Sequence, residues 1–396
     1  MQLPHGLHLA YCTNVHPGED WPATLRSLEQ WTLAVKHRVC PAAPYGIGLR
    51  LSDQAARELS DPPALLAFQR WLDRHGCYVF TINGFPFGRF HGTRVKEQVY
   101  RPDWADPRRL EYTNRLGDLL ARLVPAGVAG SVSTLPGSFK EFPSTPAQAQ
   151  AIRDNLWRCV EQLARLRDQT GRHVHLGLEP EPFGLFENSA ETAAFFDCLR
   201  AEHPGDARLE EHLGVTYDTC HFAIEFEEPQ DAIARLRRHG IRLSKIHLSN
   251  ALRLRPTPAA LARLASFAEE VYLHQVIVRA ADGSLTRFKD LDLALQSPVA
   301  LRNPQTDEWR VHFHVPLHHA PTAELGNTAA HVEGLLGLLG PDPRLCAHLE
   351  METYTWAVLP PPFQSRDVTA QLVGEYAWTL QRLARHGLAA PPGAAG

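Results

Sequence analysis

The chain lacks the features that mark several large classes of protein. It has no lysine- and arginine-rich run, and 40 basic against 44 acidic side chains leave a net charge of −4. A surface for phosphate backbones, and with it a nucleic-acid partner, is not expected. Apolar stretches such as Val332–Leu339 fall far short of bilayer length, so direct membrane insertion is not expected either. Met1-Gln-Leu-Pro-His5 lacks the basic segment and apolar core of a secretory signal. Seven cysteines are scattered, odd in number and never in a CxxC pair. That usage reads as reduced thiols in a cytoplasmic protein rather than a disulfide framework. No G-x-G-x-x-G follows the first strand, because Gly46-Ile-Gly48 has no third glycine, and there is no Walker loop, G-x-S-x-G elbow or H-E-x-x-H helix.

What is present is a 396-residue chain, 44% hydrophobic, enough for a full core. Short apolar or β-branched runs alternate with helix-like segments. The predicted strands are His8–Asn14, Gly46–Leu51, Tyr78–Asn83, Gly130–Thr134, Val174–Glu179, Leu213–Asp218 and Leu243–Leu248. Ser52 or Asp53 is expected to cap a helix running to Arg74-His75-Gly76. Strand starts about 30 to 50 residues apart are the repeat of βα units, and polar residues gather at the strands' carboxyl ends. The expected fold is therefore an α/β (β/α)8 TIM barrel, with a doubly wound sheet as the rival. Trp309–Pro316 and Cys346–Thr353 add two more candidates, making nine for eight places, so one late strand must lie outside. The expected organisation is one barrel domain over 1–388, interrupted by an excursion at 252–308 with a hairpin on Asp282-Gly283, and a disordered tail, 389–396.

Four strand ends carry metal-ligand chemistry: Glu179-Pro-Glu181, Asp218-Thr-Cys-His221, Lys245-Ile-His247 and Glu350-Met-Glu352. In a barrel such ends meet at one mouth, where oxygen and imidazole donors suit Mn²⁺, Co²⁺, Fe²⁺, Zn²⁺ or Mg²⁺. Alternation puts Lys245 with His247 and Glu350 with Glu352 on one face. Glu352 is the first choice for the last ligand; Glu350 is either a ligand or the partner of Lys245. Lys245 is itself a salt-bridge partner or an electrostatic stabiliser. His312 and His314 share a face, as ligands, proton carriers or satisfied structural histidines, and His274 has the same standing. The glycine- and aromatic-rich loop after Thr81 offers Asn83, His91 and a lid of Phe85, Phe87 and Phe90. Ser131–Lys140 offers hydroxyls and one cation for a phosphate or polyol, and Asn14 and His16 end the first strand.

These elements resemble the xylose-isomerase-like barrels. In their ketose 3-epimerases a Leu-Glu-Pro end, an Asp-x-x-His end, a His end and a final Glu bind one divalent metal. The resemblance implies Glu179, Asp218, His247 and Glu352 as ligands, and Glu187 as a substrate contact. Longer phrases, His8–Gly18, Thr81–Gly88, Pro136–Lys140, Leu178–Pro182, Tyr217–His221, Tyr272–Val276, His312–Pro316 and Glu352–Trp356, are similar to the EboE family of bacterial ebo gene clusters. That family implies the handling or export of a precursor metabolite, with other ebo-cluster proteins, including a membrane partner, as associates. The leading expectation is a metal-dependent isomerase or epimerase of a sugar-like or cyclitol-like polyol. Glu179 and Glu352 would exchange the proton, with His221 and Lys245 in support. A non-catalytic metabolite carrier is the alternative. An endonuclease-like phosphoesterase is disfavoured because the third and fourth strands carry no histidine.

Overall fold

The computed structural model describes residues 1–391 except 143–144, 302, 304–306, 362 and 366. Among the described residues thirteen strands are formed: β1 (His8–Tyr11), β2 (Tyr45–Arg50), β3 (Cys77–Asn83), β4 (Gly130–Thr134), β5 (Val174–Leu178), β6 (Leu213–Asp218), β7 (Arg242–Leu248), β8 (Asn250–Leu254), β9 (Val276–Arg279), β10 (Leu285–Phe288), β11 (Glu308–Val315), β12 (Gly326–Asn327) and β13 (His348–Met351). Eight of them pair in parallel in the order β1-β13-β7-β6-β5-β4-β3-β2. A parallel bridge between Cys12 and Gly48 nearly closes the ring. Every residue of β2, β4, β5, β6 and β13 is buried, as strands between a filled interior and an outer layer of helices must be. Gly48 is required by that filling: a side chain there would overlap the Glu350 carboxylate.

The late strand outside the barrel is β11, and β13 takes the eighth place. β11 belongs to an antiparallel sheet of order β10-β9-β11-β8-β12. Asp282-Gly283 closes its β9–β10 hairpin, with Gly283 at φ +85°. Only Ser249 separates β7 from β8, so the backbone passes straight from barrel to second sheet. Along β11, Trp309, Val311, Phe313 and Val315 enter a core of their own with Leu252, Leu254, Val276 and Val278. Period-two alternation then sends Arg310, His312 and His314 to the opposite face. Between Val311 and Val315 four steps of β11 span only two of β8, from Leu252 to Asn250, a bulge that falls on the two histidines.

The helix expected from Ser52 to Gly76 is two helices. Ser52 caps Asp53–Leu59 and Asp61 caps Pro62–His75. The Pro62-Pro63 pair explains the break: proline suits a helix's first turn but cannot continue the preceding one. Gly76, at φ +58°, ends the second helix as expected. Leu388 and Ala389 are buried in the core, whereas 392–396, most of the expected disordered tail, lie outside the described residues. Among the described residues no helix is long and apolar enough to cross a membrane, and all seven cysteines are free.

Candidate metal centre

Parallel strands carry their carboxyl ends to one mouth, and the chemistry of the site follows from which side chains sit there. Glu179 follows β5, Asp218 ends β6, His247 is the penultimate residue of β7, and Glu352 follows β13. Each offers a ligand atom, and the four atoms lie within 4.8 Å of one another. All four side chains are buried. Asp218 caps the short helix Thr219–Ile224: its Oδ1 accepts from the Cys220 and His221 amides at 2.7 and 3.1 Å and from Ser249 Oγ at 2.6 Å. Its Oδ2 has no hydrogen-bond partner. Glu352 Oε1 accepts from the Nδ2 atoms of Asn14 and Asn83, each at 2.9 Å. His247 Nδ1 faces Glu179 Oε1 at 2.8 Å, Glu352 Oε2 at 3.3 Å and Asp218 Oδ2 at 3.6 Å. The far side of that ring, Nε2, donates to Glu350 Oε2 at 2.9 Å, and Lys245 Nζ holds the same oxygen at 2.6 Å.

The electrostatics show an excess of negative charge. Burial, with the carboxylates of Glu179, Asp218 and Glu350, pushes Glu352 up to about 8 against the pull of His247. Burial would strip His247 of its proton, but Glu179 and Glu352 outweigh it and hold the imidazole charged well above its ordinary range. His247 thus supplies the positive charge that a cation would otherwise bring. Glu179 Oε2 and Asp218 Oδ2 are buried oxygens without a hydrogen-bond partner, an arrangement that is costly unless something positive meets them. Three carboxylates and one imidazole whose outer nitrogen is anchored by a carboxylate form a donor set that fits a divalent ion.

The remaining candidates divide. His221 lines the cavity above the four ligands, as do Asn83, Phe85, Phe90, Tyr272, Glu181, His312 and Tyr354. His221 Nε2 lies 3.1 Å from His312 Nε2, which lies 3.1 Å from His314 Nε2. Lys245 and Glu350 do not line the cavity. They form a fully buried ion pair one layer deeper, with Lys245 also donating to Ser133 Oγ at 3.0 Å. His274 is occupied by the His312 carbonyl and Glu269. His91 stands 3.8 Å from Glu19, and Glu187 pairs with Lys140 and Arg287, each at 3.1 Å. None of these three lines the cavity. Phe87 packs on Tyr112 instead of forming part of a lid. Ser131, Ser138 and Lys140 are committed to Thr81, Asp103 and Glu187, so the loop offers few free groups for a ligand. Tyr272, Tyr354 and Gln275 were not singled out individually by sequence reasoning, and Glu181 was named only within its strand-end cluster. Glu181 was visible as the second carboxylate of Glu179-Pro-Glu181, whereas the others reach the mouth only through tertiary folding.

No protein-family model matches the chain, and no curated protein does. Among solved structures, an L-ribulose 3-epimerase is 13% identical over 98% of this chain and 96% of its own, with a TM-score of 0.51. A xylose-isomerase-like TIM-barrel protein from Mycobacterium smegmatis, in complex with magnesium, is 14% identical over 96% and 97%, with a TM-score of 0.48. The chain is an α/β TIM barrel similar to the xylose-isomerase-like proteins. At such identities the likeness speaks for the fold, and the chemistry must be argued from the residues.

Proposed function

We propose that this barrel is a divalent-metal-dependent isomerase or epimerase of a sugar-like or cyclitol-like polyol, moving a proton at a carbon next to a carbonyl. The observation that carries the reading is the convergence of Glu179 and Glu352 on the point where Asp218 and His247 also meet. A cation held there would draw electron density from a carbonyl and its neighbouring hydroxyl, acidifying the carbon between them. Glu179, anchored through Oε1 and free at Oε2, takes the proton. Glu352, which holds a proton up to about pH 8 in the metal-free protein, returns one from another side. Asn14 and Asn83 fix the Glu352 carboxyl, and His221 orients a substrate hydroxyl. Phe85, Phe90, Tyr272 and Tyr354 exclude water from the cavity. On the motifs shared with the EboE family, we assign the substrate to the metabolite made or moved by ebo clusters, in the cytoplasm.

The test is solvent exchange. The protein, loaded with Mn²⁺ and incubated with candidate cyclitols and ketoses in D₂O, should place deuterium on carbon, read by mass spectrometry. Glu179→Gln should lower that exchange about 10²–10⁴-fold with unchanged circular dichroism. Substrate binding with no exchange in the unmutated protein would overturn the enzyme reading in favour of a carrier.

A further inference from the structure

We propose that the mouth holds a second cation, its ligands drawn from imidazoles that the antiparallel sheet brings to the barrel, His312 and His314 of β11, and from His221 and a shared Asp218. Three overlapping sets of side chains there offer ligand atoms within 4.8 Å of one another: Asp218 with His221 and His314, Glu181 with His221 and His312, and Cys220 with His312 and His314. Each set draws two of the same three imidazoles. All three rings are buried.

The tautomers make the case. His221 Nδ1 lies 3.0 Å from the Pro180 carbonyl, and His314 Nδ1 lies 2.8 Å from the Glu352 carbonyl. A carbonyl only accepts, so each Nδ1 carries the hydrogen. His312 Nδ1 meets Gln275 Oε1 at 2.7 Å. The Gln275 amide is oriented by its own Nε2, which donates to Glu181 and to the Pro182 carbonyl. Its oxygen therefore accepts, and His312 Nδ1 carries a hydrogen too. If all three rings were neutral, as a bound cation requires, bare Nε2 lone pairs would face one another across both contacts, each 3.1 Å long. Without a cation, burial of His221 is outweighed by Asp218 and Glu181, which favour a proton on that ring. One added proton bridges only one of those two contacts. A metal ion seated in one of the three sets satisfies two of these nitrogens together with Asp218, Glu181 or Cys220. Tetrahedral ligands about 2.0–2.1 Å from zinc stand roughly 3.3 Å from each other, close to the 3.1 Å of the two imidazole contacts. Backbone or side-chain oxygens holding the outer ring nitrogen are the usual support of metal-binding histidines. Asp218 belongs both to this set and to the carboxylate centre, and its Oδ2 has no hydrogen-bond partner, so Asp218 is the residue placed to bridge them.

The two positions differ in chemistry. The carboxylate-rich centre suits a hard ion, and the imidazole-rich one suits Zn²⁺, Co²⁺, Ni²⁺ or Cu²⁺. The inserted sheet thereby gains a role, and the bulge on β11 falls where the two imidazoles are presented. The inference depends on the proposed centre only through Asp218.

The experiment is a titration of the metal-stripped full chain with Co²⁺, counting bound equivalents by equilibrium dialysis and following the visible spectrum. Two equivalents are expected for the unmutated protein. The double variant His312→Asn with His314→Asn should bind one, and Glu179→Gln with Glu352→Gln should keep the imidazole-bound one. Anomalous diffraction at the cobalt edge, on crystals of the unmutated protein, locates the ions should the histidine variant fail to fold. One equivalent, lost in the glutamate variant and retained in the histidine variant, overturns the second position and leaves the carboxylate centre standing. One equivalent lost only in the histidine variant supports the imidazole position and overturns the carboxylate centre. No binding in the unmutated protein overturns both.

Discussion

Glu350 and Glu352 stand two residues apart at one strand end, both buried, yet their protons behave in opposite ways. One layer inside the barrel, burial opposes the charge on Glu350, but Lys245 and His247 outweigh it and hold the carboxyl down to about 2. At the mouth, where the neighbours are mostly other carboxylates, Glu352 is pushed up to about 8. Burial is common to both, so burial does not decide the chemistry. The partner does. In the deeper layer the charge of Glu350 is matched by Lys245, although Glu350 Oε1 itself has no hydrogen-bond partner. The upper layer is left open by one positive charge, and that deficit is what invites a cation.

The strongest way to break the contrast is to remove the lysine. Lys245→Met leaves Glu350 buried without its main partner and should cost about 3–5 kcal/mol by chemical denaturation. Adding Glu350→Leu should recover much of that loss. No loss in the single variant would mean that the deeper layer is not a closed pair.

Acidity sharpens the comparison from the other side. Glu352 has an ordinary value of 4.5 and a folded value of about 8, so the metal-free fold loses stability as pH rises between them. Below about pH 6.5 the buried histidines act in the opposite sense. Burial pushes His8 down to about 4 and His16, His331 and His348 to about 3, so stability rises there with pH. The melting temperature of the stripped protein should therefore peak near pH 6–6.5 and fall toward pH 8. Saturating Mn²⁺ should flatten most of that fall. The residue left over belongs to Glu225 and Glu375, both raised by burial to about 7, and to His221, where burial is outweighed by Asp218 and Glu181 and the ring stays charged above its ordinary range.

The smallest expected effect has the most diagnostic sign. Glu352→Gln removes a carboxyl the metal-free fold must keep protonated, and Asn14 and Asn83 can still donate to the amide oxygen. At pH 8 it should raise the melting temperature of the stripped protein by a few degrees, at about 1.2 °C per kcal/mol for a chain of this length. The same variant should weaken Mn²⁺ binding. A fall in both would show that the two glutamates do equivalent work.

The barrel was legible because its strands are nearly continuous apolar runs ending in polar clusters, as in Val174–Glu179 and Leu213–Asp218. Asp218 and His247, brought together as register partners, were visible for the same reason. Trp309–Pro316 was ambiguous because its apolar residues are as abundant as those of a barrel strand. The distinguishing sign was the alternation of Trp, Val, Phe and Val with Arg and two His, which belongs to a sheet with two unlike faces. Where that second face would dock was not legible, since the contacts of His312 with His221 and Gln275 join segments 91 and 37 residues apart. The break at Pro62-Pro63 was readable in principle but was masked by apolar periodicity running through both helices.

The bulge on Glu308–Val315 has one further consequence. Because neighbouring side chains on a strand point to opposite sides, a slip of a single residue there would exchange His312 and His314 for Val311 and Phe313, and the mouth would be lined with oil instead of nitrogen. An insertion or deletion in this short stretch would therefore cost the mouth both imidazoles, although the sheet that carries them lies outside the barrel.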